Sequence, residues 1–155
     1  MEKIAIFTQQ YPAGTNAPTG TPSAPNVRAF NTTVVNNIAG CTLDSSTGDI
    51  TVQPGFYKVE ASAGLFGYLA SQLSLVSVSG SAFNADGIPA VGILGQGAEV
   101  CLPTSTVIGW LRADVATVVQ ASHYAGAAYG SAQSLGNDAG SGRPNVPAQI
   151  VFTQF

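Results

Sequence analysis

Charged residues are scarce in this chain. Only 8% of its 155 residues are Asp, Glu, Lys or Arg, whereas soluble domains average about 25%. The net charge of −3 provides no basic surface, so nucleic acid is not expected among its partners. The polar surface must come from Ser, Thr, Asn and Gln, while an apolar content of 45% is sufficient for a folded core. These proportions favour a compact β protein that covers part of its surface in an oligomer.

Long apolar runs are also missing. No run approaches the roughly 20 residues that span a bilayer, so a membrane is not expected as a partner. The apolar part of the N-terminal segment comprises only residues 4–7, which is too short for the hydrophobic region of a signal peptide. We therefore expect the chain to be made and folded in the cytoplasm.

The residues that enzymes and metal sites require are equally few. His123 is the only histidine, so any Ser–His or Cys–His catalytic pair would have to use it. No G-x-S-x-G motif accompanies it, and the simpler interpretation is a surface or interface imidazole. The carboxylates are scattered, and the sequence has neither a Cys/His cluster for zinc nor an acidic loop for calcium. We therefore expect no enzymatic activity, no cofactor and no metal.

Four isolated residues leave alternatives open. Cys41 and Cys101 are either two small buried thiols in a reducing compartment, which is the simpler interpretation, or a disulfide. Arg28 and Arg112 are rare charges inside apolar runs and need partners if they are buried. Asp114 is a possible partner for one of them, unless both arginines point to solvent from strand edges.

Period-two alternation is the clearest feature that is present. Between residues 46 and 63 apolar and polar side chains alternate on both sides of a Pro54–Gly55 turn signal, as in a sheet with one packed and one wet face. Convincing amphipathic helices are absent, and Gly and Pro are frequent. The pattern predicts a single all-β domain over residues 1–155, with an antiparallel β-sandwich or a jelly roll as its architecture. The predicted strands are 3–8, 28–38, 49–53, 56–63, 69–78, 90–94, 105–113, 115–125 and 147–154.

Two irregular segments interrupt the strands. Residues 8–26 carry no charge and are rich in Pro, Thr, Ala and Gly, which predicts an extended, irregular segment. It is either a long surface loop or an arm that lies on a neighbouring subunit or a larger surface. The candidate contact residues of such an arm are Tyr11, Pro12, Pro18, Pro22 and Pro25. Residues 130–145 predict a second long loop before the last strand. It is either a functional loop or, in the simpler interpretation, one of the long loops that a jelly roll has at one end.

Three of the predicted strands are apolar on both faces. They are the strands at residues 3–8, 105–113 and 147–154. The second sheet of a sandwich covers one face, and the other must be buried elsewhere to avoid aggregation. We therefore predict that these strands lie together and form a subunit interface. The candidate interface residues are Ile4, Ile6, Phe7, Trp110, Leu111, Val151, Phe152 and Phe155.

Two segments carry a family resemblance. Residues 27–44 (VRAFNTTVVNNIAGCTLD) have an apolar–Arg–x–apolar–Asn opening, a short strand and a polar turn. Residues 50–63 (ITVQPGFYKVEASA) have a strand, a Pro–Gly turn, a Tyr and an Ala–Ser–Ala ending, with Gln53 where Leu is usual. Both resemble the complement-globular-head and tumour-necrosis-factor-like jelly roll, in the form common in phage structural proteins. The resemblance covers residues 27–125 and extends to the C-terminal strand. It implies an antiparallel β-sandwich with jelly-roll topology and a homotrimer packed through the sheet that holds both termini.

The function that the resemblance implies is that of a virion structural protein. We expect a bacteriophage capsid decoration or cement protein, made in the host cytoplasm, which forms homotrimers on the capsid surface of the virion. Trimers match the local three-fold points of an icosahedral shell, where the major capsid protein is the expected partner. The alternative is a fibre-tip or head-fibre module that binds a host surface glycan by stacking on aromatic side chains. The candidates for stacking are Tyr68, Trp110, Tyr124 and Tyr129.

Overall fold

Alternating side chains produce long strands in the computed structural model. The structure describes residues 3–65, 68–87, 90–91, 104–127, 134–136 and 140–155. The strands in these residues are β1 (Lys3–Tyr11), β2 (Ala24–Val27), β3 (Thr32–Asn36), β4 (Thr42–Asp44), β5 (Asp49–Val52), β6 (Gly55–Gly64), β7 (Ala70–Ser79), β8 (Asn84–Asp86), β9 (Ala90–Val91), β10 (Thr104–Ala113), β11 (Thr117–Ala125) and β12 (Asn145–Gln154). The described residues include no helix able to cross a membrane.

The strands form two antiparallel sheets. The terminal sheet, named for the two terminal strands in it, has the order β10-β6-β12-β1-β3. The opposite sheet has the order β4-β5-β11-β7-β8, with β2 paired to β11 and β9 paired to β7. Apolar residues of both sheets form one cluster between them, as expected for a β-sandwich. The predicted all-β sandwich is therefore confirmed.

Residues 46–63 form the predicted strands but do not form a hairpin. In β6, Tyr57 and Val59 are buried, whereas Lys58 and Glu60 on the other face are partly exposed. However, β5 pairs with β4 and β11, and β6 pairs with β10 and β12. The turn at Pro54 therefore connects the two sheets. Each strand then turns its apolar face to the shared core from its own side.

Three of the predicted interface residues belong to this core. Phe7, Leu111 and Phe152 are 0%, 1% and 0% exposed. The rings of Phe7 and Phe152 meet edge to face with centroids 6.4 Å apart, an arrangement that aromatic pairs favour. These side chains have no surface to offer a second subunit, so their assignment to an interface is wrong. Their strands are apolar on both faces, and these residues lie on the face that the opposite sheet covers.

Several strand boundaries also differ from the prediction. The predicted strand at 28–38 is only the short β3, and β2 precedes it as a separate strand. Neither β4 nor β8 was predicted, because three residues are too few to reveal a period. The predicted strand at 90–94 is described only as β9, and its remaining residues lie outside the described part of the chain.

The uncharged segment at 8–26 folds onto its own chain. The amide of Ala17 donates to the carbonyl of Gly136 at 2.8 Å, and Tyr68 Oη donates to the carbonyl of Gly20 at 2.7 Å. Ala17 also packs in a small apolar cluster with Tyr68, Leu135 and two further residues. Residues 12–23 are thus a surface loop between β1 and β2, whereas residues 8–11 belong to β1 and residues 24–26 to β2, so the prediction of an irregular segment is wrong at both ends. Contact of its candidate residues with another protein stays a prediction; the four prolines among them, Pro12, Pro18, Pro22 and Pro25, are exposed.

Candidate functional site

The outer face of the terminal sheet, which points away from the core, is organised in cross-strand rows. Residues paired across antiparallel strands lie on the same face and contact each other. An apolar row with one carboxylate is formed by Ile108, Glu60, Val151, Ile6 and Val35. The next row is neutral and polar and is formed by Thr106, Ser62, Gln149, Thr8 and Thr32. The face therefore changes from apolar to polar along the strands.

Three exposed aromatic residues form what we term the aromatic corner of this face. The rings of Phe56 and Trp110 are stacked, with centroids 5.4 Å apart and planes 16° apart. Phe155 lies against both, with centroids 6.1 Å from Phe56 and 5.7 Å from Trp110. Phe56, Trp110 and Phe155 are 44%, 56% and 71% exposed. A contiguous apolar surface of this kind is typical of an interaction site.

The other five predicted interface residues lie on this outer face or at its aromatic corner. Ile4, Ile6 and Val151 are half-buried on the sheet, and Trp110 and Phe155 belong to the aromatic corner. The sequence analysis missed Phe56 and Val35. Phe56 precedes the buried Tyr57, so strand alternation alone would have placed it on the outer face.

The charges at this face are paired within the chain. Lys58 Nζ lies 2.9 Å from Glu60 Oε1, and Arg112 Nε lies 3.2 Å from Asp114 Oδ1. Asp114 was a possible partner for Arg28 or for Arg112. In the structure it pairs with Arg112, and this pair is exposed. Exposed pairs of this kind contribute little to stability. They leave the apolar face nearly neutral.

A cleft with both polar and apolar walls lies at the opposite end of the terminal sheet from the aromatic corner. Its volume is about 460 Å³. Among the residues that the structure describes, the side chains that line it are uncharged and include Ser62, Thr104, Ser141, Asn145 and Gln149. Pro144, Val146 and Pro147 supply an apolar wall.

Behind this cleft, Arg28 is fully buried between the two sheets. Its Nε donates to Nδ1 of His123 at 3.0 Å, and its Nη1 donates to Oε1 of Gln9 at 3.2 Å. The guanidinium also donates to the backbone carbonyls of Leu135 and Gly64. Among the described residues, the hydrogen-bond partners of this side chain are all neutral, and burial lowers the pKa of Arg28 to about 9.

His123 is buried in the same network, so the interpretation of a surface or interface imidazole is wrong. A guanidinium has no acceptor, so Nδ1 of His123 must be unprotonated and Nε2 must carry the hydrogen. Nε2 lies 2.6 Å from Oγ of Ser71 and donates to it. Burial, together with the charge of Arg28, lowers the pKa of His123 to about 3.

This arrangement is the reverse of a catalytic Ser–His pair. In such a pair the imidazole accepts the serine proton, and a carboxylate stabilises the cation that forms. Here the hydroxyl of Ser71 accepts from His123, and the cationic Arg28 occupies the position of the carboxylate. Ser71 and His123 are also 1% and 0% exposed, so no substrate reaches them. The pair is structural.

The remaining reactive group that the structure describes is Cys41. It is a buried free thiol, and burial raises its pKa to about 11. This confirms the simpler interpretation for Cys41, whereas Cys101 lies outside the described residues. Within the described ranges, no group of His, Cys, Asp and Glu side chains is placed to hold a metal ion.

Comparison of the sequence with protein-family models and with curated proteins finds no match. Similar folds exist among solved structures. Murine APRIL, in a crystal at pH 8.0, matches over the full length of both chains with a TM-score of 0.59 and 10% identity. The Eiger TNF of S. frugiperda matches over 99% of this chain and 92% of its own, with a TM-score of 0.54 and 11% identity. Identity this low supports the fold and not the function. The predicted fold is thereby confirmed, and the chain has the jelly-roll fold of tumour-necrosis-factor-like proteins.

Proposed function

We propose that this chain is a structural, non-enzymatic protein that forms homotrimers through the apolar end of the outer face of its terminal sheet and decorates a bacteriophage capsid. The observation that carries the self-association is the aromatic corner with the apolar row beside it. Trp110, Ile108 and Phe155 are more than half exposed. Burying a large apolar side chain contributes about 1.5–3 kcal/mol, so a few such contacts support a stable assembly.

A second copy of this chain is the partner that best fits this face. The ion pairs beside the corner are already satisfied within one chain, so the face has few charges that require an oppositely charged partner. Three copies is the number typical of the tumour-necrosis-factor-like fold. A head-to-tail contact that closes after three copies forms a ring and leaves no free interface.

The capsid role is supported by the sequence resemblance. Residues 27–44 and 50–63 resemble phage structural proteins, and the uncharged segment at residues 8–26 presents exposed prolines on the surface. These prolines are the proposed contacts with the major capsid protein. A protein that binds the assembled shell and not its free subunits stabilises the shell by mass action.

The self-association is tested by measuring mass in solution. We expect the wild-type protein to sediment as a trimer at micromolar concentration and Trp110→Ser to shift it towards monomer. Tyr124→Ser is the matched control, because Tyr124 is an exposed aromatic residue of the opposite sheet. A monomeric wild-type protein, or equal loss of mass in both variants, contradicts the proposal.

The capsid role is tested on purified phage particles of the source. We expect antibody–gold label over the head and a stained band comparable to that of the major capsid protein. Particles without the protein should lose their contents at lower temperature. Particles without label contradict a virion role.

The second candidate is a fibre-tip module that binds a host glycan. Exposed Trp110 and Tyr124 favour it, because aromatic faces stack on sugars. Tyr68 does not contribute, since it is buried and bonded to the carbonyl of Gly20, and Tyr129 lies outside the described residues. Label confined to a fibre end, with a scarce band, would favour this function over decoration.

A further inference from the structure

The cleft at the polar end of the terminal sheet is separate from the aromatic corner. It is formed by the end of β6, the beginning of β10 and the beginning of β12. Its volume of about 460 Å³ lies within the range of about 300–1,000 Å³ that small-molecule sites have. We propose that this cleft binds a neutral saccharide.

The chemistry of the lining selects this class of ligand. The polar side chains of Ser62, Thr104 and Gln149 are hydroxyls and an amide, which donate and accept hydrogen bonds without carrying charge. A charged ligand would lose its hydration in the cleft without gaining an ion pair from the lining side chains within the described ranges. A ligand with many hydroxyls replaces its bonds to water with bonds to these groups.

The cleft also has an apolar wall, which a saccharide can contact. Pro144, Val146 and Pro147 lie along the β12 side of the cleft. A sugar ring has polar edges and an apolar face of C–H groups, so it satisfies both kinds of wall at once. A fully apolar ligand would leave the polar groups without partners.

Buried hydrogen bonds hold the walls in place from behind. Arg28 donates to the carbonyl of Gly64, which lines the cleft, and to that of Leu135 in the adjacent turn. Nδ2 of Asn145 donates to the carbonyl of Gly136 at 3.2 Å and to that of Thr15 at 3.1 Å. These bonds position Gly64, Gly136 and Asn145 in the free protein, and a wall that is already in position loses little entropy on binding.

The test is a titration of the ¹⁵N-labelled protein with maltose, lactose and N,N′-diacetylchitobiose, followed by amide chemical shifts and calorimetry. We expect one of these sugars to give saturable shifts at Ser62, Thr104 and Gln149, with a dissociation constant of about 1 mM or tighter. Sialyllactose tests the preference for neutral ligands, and glycerol tests whether any polyol suffices. We expect that neither sialyllactose nor glycerol saturates the cleft.

Two variants locate the site. Thr104→Val and Gln149→Leu each remove hydrogen-bonding groups at nearly constant volume and should weaken binding about tenfold. Thr42→Val is the matched control, because Thr42 is an exposed strand residue of the opposite sheet. The proposal is overturned if none of the neutral sugars saturates, if glycerol binds equally well, or if the cleft variants bind like the control. Binding is measured on the isolated protein, so it does not depend on the capsid role.

Discussion

Arg28 and His123 meet inside the sandwich with the guanidinium Nε 3.0 Å from the imidazole Nδ1. This contact fixes His123 as the neutral tautomer that carries its hydrogen on Nε2. Protonation of the imidazole would place two cations in contact and remove the acceptor that Arg28 uses. The stability of the fold therefore depends on a neutral His123.

The first prediction concerns pH. The pKa of His123 is about 3 in the folded chain and about 6.5 in an unfolded one. The unfolded state thus binds more protons between these values, so stability falls as pH decreases from about 6.5 towards 3, by at most about 1.4 kcal/mol per pH unit. Urea unfolding at pH 7.5, 6.0 and 5.0 measures this loss.

His123→Asn is the control for the pH prediction. The Asn side chain cannot be protonated in this range, and its oxygen is placed to accept from Arg28. The stability of this variant should change less between pH 7.5 and 5.0 than that of the wild type. An equal slope in both proteins would assign the pH dependence to other groups.

The second prediction concerns Arg28 itself. Arg28→Met fills similar space but leaves the carbonyls of Gly64 and Leu135 and Nδ1 of His123 without their donor. We expect a loss of about 3 kcal/mol in the free energy of unfolding. Arg112→Met should change it by less than about 1 kcal/mol, because the pair with Asp114 is exposed. Similar values for the two variants would contradict a structural role for the buried network.

The third prediction concerns the close approach of the sheets at β10 and β8. A Cβ atom on Gly109 would lie 2.7 Å from Cβ of Ala85 and 2.8 Å from Cζ of Phe83. Gly109→Ala should therefore destabilise the fold by about 1–3 kcal/mol. Gly64→Ala is the control, because the nearest atom there, Oγ1 of Thr104, is 4.0 Å away. Thermal unfolding of both variants distinguishes crowding from a general effect of alanine.

The fourth prediction uses Trp110 as an optical reporter. It is the only tryptophan in the sequence, so the emission spectrum reports this one position. If the aromatic corner is buried in the assembly, emission shifts to longer wavelength on dilution, at the concentration where the mass falls. Phe155→Ala removes a ring that lies 5.7 Å from Trp110 and should raise that concentration. An emission maximum that is independent of concentration while the mass changes would place the interface elsewhere.

The sequence was sufficient to predict the sandwich and part of the candidate surface. Alternation in β6 and the apolar terminal strands identified both. The sequence does not indicate which face of an apolar strand points to the core, because both faces of β1 carry large apolar residues. Phe7 was therefore grouped with Ile6, although the opposite sheet covers only Phe7.

No local pattern in the sequence indicates the buried hydrogen-bond network of Arg28 and His123. Arg28 and His123 lie 95 positions apart, and the strand pairing that brings them together depends on the whole sandwich. His123 does continue the series of buried residues Val119 and Ala121 in β11. That alternation was sufficient to predict that His123 is buried. It did not indicate that the guanidinium of Arg28 lies beside it.

The position of β12 between β6 and β1 has a consequence for how the chain folds. Lys3 pairs with Gln154, while the other edge of β12 pairs Gln154 with Tyr57. The centre of the terminal sheet is thus made of contacts between residues distant in sequence, which form slowly because long loops must close first. Until β12 is in place, β1 and β6 have no common neighbour and their edges are open to other chains. We therefore expect slow refolding, with aggregation competing most strongly before β12 has paired.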